Sequence, residues 1–248
     1  MTQYAFGSGQ LYTTPVGGGV PLAFGAIQNV TVDIQADVKQ LYGSLQYPLD
    51  VARGKAKIMG KCVFGDINLD VYNSIFFGQT LTTGEKILIN NEAGATAIPT
   101  TPFQLTVAQA ATFYMDVGVY FQTTGVRLVQ VASGPVTGQY SVSAGGVYTF
   151  AAADTGKTVY FNYFYTGAAT GKTLAINNLI MGVVPKFQVV LSEIRNGQTF
   201  TLLLYSCVCD KLSLPLKQDD FLYGETDFQA LSNSAGQVGF MTMTGPSG

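Results

Sequence analysis

Through much of this chain hydrophobic residues recur at every second position, and glycine interrupts the pattern at short intervals. In "IQNVTVDIQADVKQLYG" the alternation sets Val30, Val32, Ile34, Ala36 and Val38 on one face of an extended strand. Residues 116–165 repeat it in "DVGVYFQ", "VRLVQVA", "GQYSVSA", "GVYTFAA" and "KTVYFNYFYT", with Gly125, Gly134, Gly138, Gly145, Gly146 and Gly156 at the breaks. Short alternating runs with a turn signal at each break predict a small β-sandwich or barrel. The expected fold is mainly β, with an antiparallel sandwich or barrel core and a small inserted β-sandwich.

A single stretch has a helical period. In "DINLDVYNSIFFGQT", Asp66 or Asn68 can cap the N-terminus, Leu69, Tyr72, Ile75 and Phe76 share a face, and Gly78 supplies a stop. One short helix is predicted over about 68–77. "TTPVGGGVPLAFG" reads as part of an extended N-terminal arm jointed at Gly17–Gly19, and "LYGSLQYPLDVARG" as a long loop over 41–54. "KAKIMGKCVFGDIN" is a second strand with a break at Gly60. Further strands are expected in "LAINNLI", "KFQVVLSEIR" and "TFTLLLYSCVCDKLSLPLK", with a tight hairpin at Asn196–Gly197 between the last two. The chain would close with one more strand and a loose Gly/Ser tail. "EAGATAIPTTP" and "TGAATGKT" look like linkers. They divide the chain into a discontinuous core, 1–103 and 171–248, and an inserted domain, 104–170.

Composition narrows the function. Only 11% of the residues are charged, against about 25% in a typical soluble domain. Such a surface is either covered by neighbours or rich in Thr, Ser, Asn and Gln, which points to a subunit of an assembly. A net charge of −2 and the lack of any Lys/Arg run argue against a nucleic-acid-binding surface. The N-terminus has neither the basic nor the apolar region of a signal peptide. No window approaches the roughly 20 apolar residues of a membrane span.

Chemistry finds little support. The chain has no His, which removes the commonest general base and metal ligand. Cys62, Cys207 and Cys209 are odd in number. Cys207 and Cys209 would share a strand face and cannot easily bridge, so reduced structural thiols are expected. Paired carboxylates could serve a glycosidase, but most acids fall in turns or on polar strand faces. Asp219, Asp220, Glu225 and Asp227 could hold Ca²⁺ but lack EF-hand spacing, and a solvated edge is the ordinary reading. "TGKT" at 155–158 lacks the upstream glycine of a phosphate loop and reads as a turn. In "VYFNYFY", Tyr160, Asn162 and Phe164 share one face and Phe161, Tyr163 and Tyr165 the other. One set belongs to a core. The other, assigned here to Phe161, Tyr163 and Tyr165, would be an exposed aromatic face for a partner or a ligand.

Several blocks, in order, resemble virion structural proteins of tailed bacteriophages: "FGSGQLYTTP", "PLAFGAIQNVTVDIQADVKQLYGSLQYPLDVARGKAKIMGKC", "IFFGQT", "VASGPVTGQYSVSAGGVYTFAAADTGKTVYFNYFYT", "LIMGVVPKFQVVL" and "KLSLPLKQDDFLYGETDFQALSNSAGQVG". The layout is most similar to a major tail tube protein. That resemblance implies a non-enzymatic subunit without cofactor or metal. Its partners would be copies of itself in stacked hexameric rings, and other phage tail proteins. DNA would be only a transient passing cargo, and no membrane is involved. The protein would be made in the bacterial host cytoplasm and reside in the virion tail. Added Ig-like domains occur outside such tubes, usually at the C-terminus, so an insertion in mid-chain departs from the pattern. A capsid decoration or head protein, or a carbohydrate-binding β module, are the alternatives. On the tube reading, Tyr42, Leu45, Tyr47, Leu49 and Arg53 are candidate subunit contacts. Asp33, Gln35 and Asp37 are candidates to face the lumen.

Overall fold

A computed structural model describes Gly7 and residues 9–167 and 171–244 of the protein. In chain order the strands are β1 (Gln10–Pro15), β2 (Leu22–Ala23), β3 (Ile27–Tyr42), β4 (Pro48–Phe64), β5 (Leu81–Thr83), β6 (Lys86–Ala93), β7 (Gln104–Thr106), β8 (Phe113–Phe121), β9 (Val129–Gln130), β10 (Gln139–Val142), β11 (Val147–Phe150), β12 (Val159–Thr166), β13 (Lys172–Leu174), β14 (Phe187–Arg195), β15 (Gln198–Ser213), β16 (Gly224–Ala230) and β17 (Gly239–Met243). Helix α1 (Leu69–Tyr72) runs straight into a π-helical turn, Asn73–Phe77. The fold is mainly β, built from antiparallel sheets with no closed barrel.

The chain forms two compact units, 1–81 with 174–248, and 82–173. The inserted unit therefore begins at Thr82, 22 residues before the boundary at 104 expected from sequence. Strand β6, assigned to the core from sequence, pairs instead with β12 from Lys86↔Thr166 to Ala93↔Tyr160. Strands β5 and β13, where the chain passes between the units, pair with each other.

The discontinuous unit is one antiparallel sheet of order β2-β1-β14-β15-β16-β4-β3, with β17 also on β15. The hairpin β14–β15 turns at Asn196 and Gly197, both at positive φ, as the Asn-Gly pair predicts. Two steps along β14, from Phe187 to Val189, oppose three along β15, from Cys207 to Leu204. This bulge keeps Leu202, Leu204, Cys207 and Cys209 in one core with Phe187 and Val189. All three cysteines are buried and unbridged.

Asn68 Oδ1 accepts from the backbone N–H groups of Asp70 (3.0 Å) and Val71 (3.3 Å), and Gly78 ends the helical segment at φ +61°. The helical face that reaches the core is Val71, Tyr72 and Ile75, whereas Phe76 is exposed. The π turn, closed by the Gly78 N–H on the Asn73 carbonyl, inserts a residue that the 3.6 period does not anticipate.

Three sequence expectations change here. Much of the described N-terminal arm is strand, with β1 and β2 joined through a non-strand segment over 16–21 that holds the expected joint at Gly17–Gly19: β1 pairs with β14 along its length, and Leu11 and Thr13 are buried. Its first six residues and Ser8 lie outside the described residues. Gly60 does not break β4. It is the register partner of Phe228, whose ring would lie 2.1 Å from a Cβ at that position, so glycine is what lets the ring cross the strand. No strand follows Leu174 until Phe187, and Ile176, Ile180, Met181 and Val183 in that stretch are exposed.

The inserted unit is a β-sandwich. One sheet has the order β7-β11-β10-β9 and the other β6-β12-β8. Among the described residues only the short β9–β10 pairing is parallel. Leu105, Tyr140, Tyr148 and Phe150 from the first sheet meet Val119, Phe121, Val159, Phe161 and Tyr163 from the second in a single core. The rings of Tyr148 and Phe161 are 4.6 Å apart across it.

Candidate assembly surface

A run of exposed apolar residues of the discontinuous unit lies on the hairpin β3–β4. Its strands pair from Ile27↔Phe64 to Tyr42↔Pro48, so most of the predicted 41–54 loop is strand and only residues 43–47 form the turn. Pro48 and Gly54 resemble loop punctuation in the sequence. Pro48 instead occupies the first position of β4, where a missing N–H is tolerated. Gly54 falls where the register shifts between Ala36 and Val38, the position of a bulge.

The two halves of the hairpin differ. Near its root, Val30, Val32, Ile58, Cys62 and Phe64 pack in the core, and β16 pairs with β4 from Phe64 to Met59. Beyond Met59 no strand among the described residues covers that edge of β4, and the outer edge of β3 has no partner strand at all among them. Both faces are then open. Ile34, Val38, Leu41 and Val51 are exposed, although alternation predicts Ile34 and Val38 to be half-buried. At the tip Tyr42 and Leu49 are exposed, Leu45 is 75% exposed and Tyr47 81%; Arg53 is exposed behind them. The structure thus gathers all five candidate contact residues on one projecting ribbon.

Asp33, Gln35 and Asp37 are exposed on the face opposite Val30 and Val32. That face is not acidic. Met59 stands opposite Asp33, Lys57 opposite Gln35, and Lys61 opposite Thr31. Across the sheet the Lys61 ammonium donates to Glu225 (3.0 Å), and Lys211 lies 3.5 Å from Glu225 and 4.0 Å from Asp227. The hydrogen bond and charge of Glu225 raise the Lys61 pKa, and the same bond lowers that of Glu225. These acids form a charge ladder with lysines. Among the described residues no group of three or more His, Cys, Asp or Glu could hold a metal ion.

The predicted exposed aromatic face is inverted. Phe161 and Tyr163 are completely buried, and Tyr165 is half-buried against the same core. Tyr160, Asn162 and Phe164 occupy the outer side. Tyrosine fills this interior because carboxylates meet its hydroxyls. Tyr163 donates to Glu92, while Tyr140 (2.5 Å) and Tyr148 (2.7 Å) donate to the two oxygens of Asp116. Burial, then these hydrogen bonds, push all three phenol pKa values far above the ordinary range. Asp154 is buried as well. It accepts from the Gly138 N–H (2.8 Å) and from Lys157 (2.7 Å), which fixes the "TGKT" segment as a turn. Sequence reasoning passed over Glu92, Asp116 and Asp154 as solvated acids. The available signal was the ratio of tyrosines to charges in the inserted unit: buried hydroxyls need acceptors.

No protein-family model matches this chain, and no curated protein resembles it to a significant degree. Among the described residues no helix is long and apolar enough to cross a membrane.

Proposed function

We propose that this chain is a non-enzymatic virion structural protein, the subunit of a phage tail tube, which assembles into stacked hexameric rings around passing DNA. The carrying observation is the hairpin, whose far half exposes Leu41, Tyr42, Leu45, Tyr47, Leu49 and Val51 on strands with open edges. Apolar area gains about 25 cal/mol per Å² when covered, and an unpaired strand edge is a template for another strand. A second copy supplies both. The low charge of the chain and its order of sequence blocks favour the same reading. On this reading the inserted sandwich is an Ig-like accessory, and the face of Asp33, Gln35 and Asp37 lines the lumen. With Lys57 and Lys61 on it, that face would keep DNA mobile by balanced charge rather than by repulsion alone.

Negative-stain images and sedimentation of the purified protein test this. Six-fold rings or tubes are expected. Tyr42→Ser, Leu45→Ser, Tyr47→Ser and Leu49→Ser together should leave monomers with an unchanged melting temperature, because all four side chains are exposed in the single chain. A wild-type protein that stays monomeric at every concentration ends the proposal. Trimers would move it to a capsid decoration protein.

A further inference from the structure

We propose that the inserted unit binds a neutral saccharide in a cleft centred on Asn162. The cleft holds about 800 Å³, within the range of small-ligand sites. It is built by irregularities on both sides of β12. On one side, β12 from Phe161 to Tyr163 opposes three steps of β6, from Glu92 to Ile89, which leaves Asn90 and Asn91 bulged. On the other, Asn162 pairs with Gly118 and Tyr163 with Asp116, which leaves Val117 bulged. Bulges re-aim side chains, and two of them back to back make a concavity in a sheet. Asn162 pins the floor: its Oδ1 accepts from the Asn91 N–H (2.9 Å), and its Nδ2 donates to the Gly118 carbonyl (3.1 Å). Asn91 is held at φ +61°. Gly118, at φ +140°, leaves the opening clear, since a Cβ there would meet nothing within 4 Å.

The chemistry of the lining selects the ligand. Asp116 is the single acid of the cleft and Arg127 the single base, so no net charge favours an ion. Asp116 already accepts from Tyr140, Tyr148 and the Gly118 N–H. Arg127, Asn90 and Gln130 line the cleft, and their side chains have no hydrogen-bond partner among the described residues. A guanidinium and two amides offer a fork of donors beside paired donors and acceptors. Adjacent hydroxyl groups of a sugar ring match that array. The ring of Tyr120, 5.4 Å from Tyr160, gives a wall for the apolar face of the sugar. This site is distinct from the aromatic face predicted at Phe161, Tyr163 and Tyr165, which packs in the core, and the inference does not depend on self-assembly.

Saturation-transfer NMR tests it with the full chain, since the method observes the free sugar and tolerates large assemblies. The probes are maltotetraose, cellotetraose, chitotetraose, mannotetraose and, as an acidic control, a hyaluronan tetrasaccharide. At least one neutral probe should give signal, and Arg127→Ala with Gln130→Ala should weaken its affinity by about tenfold or more. Both side chains are exposed, so the melting curve should not move. Asn90→Ala provides a second variant with the same expected loss. The proposal is overturned if no neutral probe gives signal, if only the acidic one does, or if the signal survives in both variants.

Discussion

The two units solve the problem of low charge in opposite ways. The inserted sandwich turns its rings inward and meets their hydroxyls with Glu92 and Asp116. The discontinuous unit fills its core with aliphatic side chains, phenylalanines and thiols, then runs a hairpin out of the sheet with apolar residues on both faces. A single chain thus contains one module that satisfies itself and one that leaves apolar side chains and strand edges uncovered among the described residues. On the proposed function, assembly belongs to the discontinuous unit, and the sandwich is a separate compact unit.

The most drastic way to break that division is to cut at it. Removing 82–173 and joining Leu81 to Leu174 should leave a folded unit that still assembles, since both ends lie at the observed boundary. Removing 104–170 instead, the segment suggested by the linker-like flanks, strips β6 of its partner β12 and exposes its backbone groups and apolar side chains. That variant is expected to aggregate. Solubility and sedimentation of the two proteins decide, and equal behaviour would show that β6 does not need β12 to stay soluble.

The same β6–β12 pairing shows where the sequence stops being legible. Local signals read well: the Asn196–Gly197 turn, the Asn68 cap, the Gly78 stop and the alternation of β12 are all present as expected. Each is written within a few residues. The errors concern partners far apart in the chain. Pro48 and Gly54 look like loop residues until β3 is placed beside them. Which face of β12 is buried depends on Glu92, 71 residues from Tyr163. The candidate contacts Tyr42, Leu45, Tyr47, Leu49 and Arg53 lie close together in the chain and could be picked out there, whereas the bulges that shape the cleft at Asn162 exist only in the register of three strands.

The inverted aromatic face gives the next largest effect. Phe161→Ala should destabilise the sandwich by about 3–5 kcal/mol, the usual cost of emptying a buried ring site. Phe164→Ala, on the half-exposed outer side of the same strand, should cost less than half as much. Chemical denaturation followed by tyrosine circular dichroism measures both. Reversal of the order would restore the face predicted from sequence.

Alkali separates the two cores by their ionisable groups. Burial pushes the Cys62 and Cys207 thiols up to about 12 and raises Cys209 as well, all in the discontinuous unit. A group with a raised folded pKa stabilises fully below its unfolded pKa and loses that contribution as pH rises toward the folded value. For thiols the loss begins near pH ~8.5, at up to about 1.4 kcal/mol per pH unit for each. The inserted unit has no cysteine, and its three raised tyrosines begin to lose their contribution only near pH ~10. Between those limits the discontinuous unit should weaken alone. Melting curves at pH 8 and 9.5 should show the shift in the hairpin-bearing unit, and replacing the three cysteines with Ala should flatten it. A parallel decline of both units would remove the thiols as the cause.

The smallest effect belongs to the charge ladder on the outer face of the sheet. Lys61 and Glu225 are both partly exposed, and water screens most of their attraction. Their pKa shifts nevertheless fix a direction. Glu225 is lowered, so its contribution is present above the ordinary carboxylate range and disappears as pH falls through its folded value. Lys61 is raised, so its contribution persists until strongly alkaline pH. Glu225→Gln should therefore leave the melting temperature near pH 3 unchanged and lower it slightly at pH 7, and added salt should shrink the difference. Lys61→Met tests the partner. If it costs as little as Glu225→Gln at pH 7 and yet abolishes tube formation, the ladder serves the contact between subunits rather than the fold. That result would place this face, with Asp33 and Lys57 beside it, among the surfaces that a neighbouring copy reads.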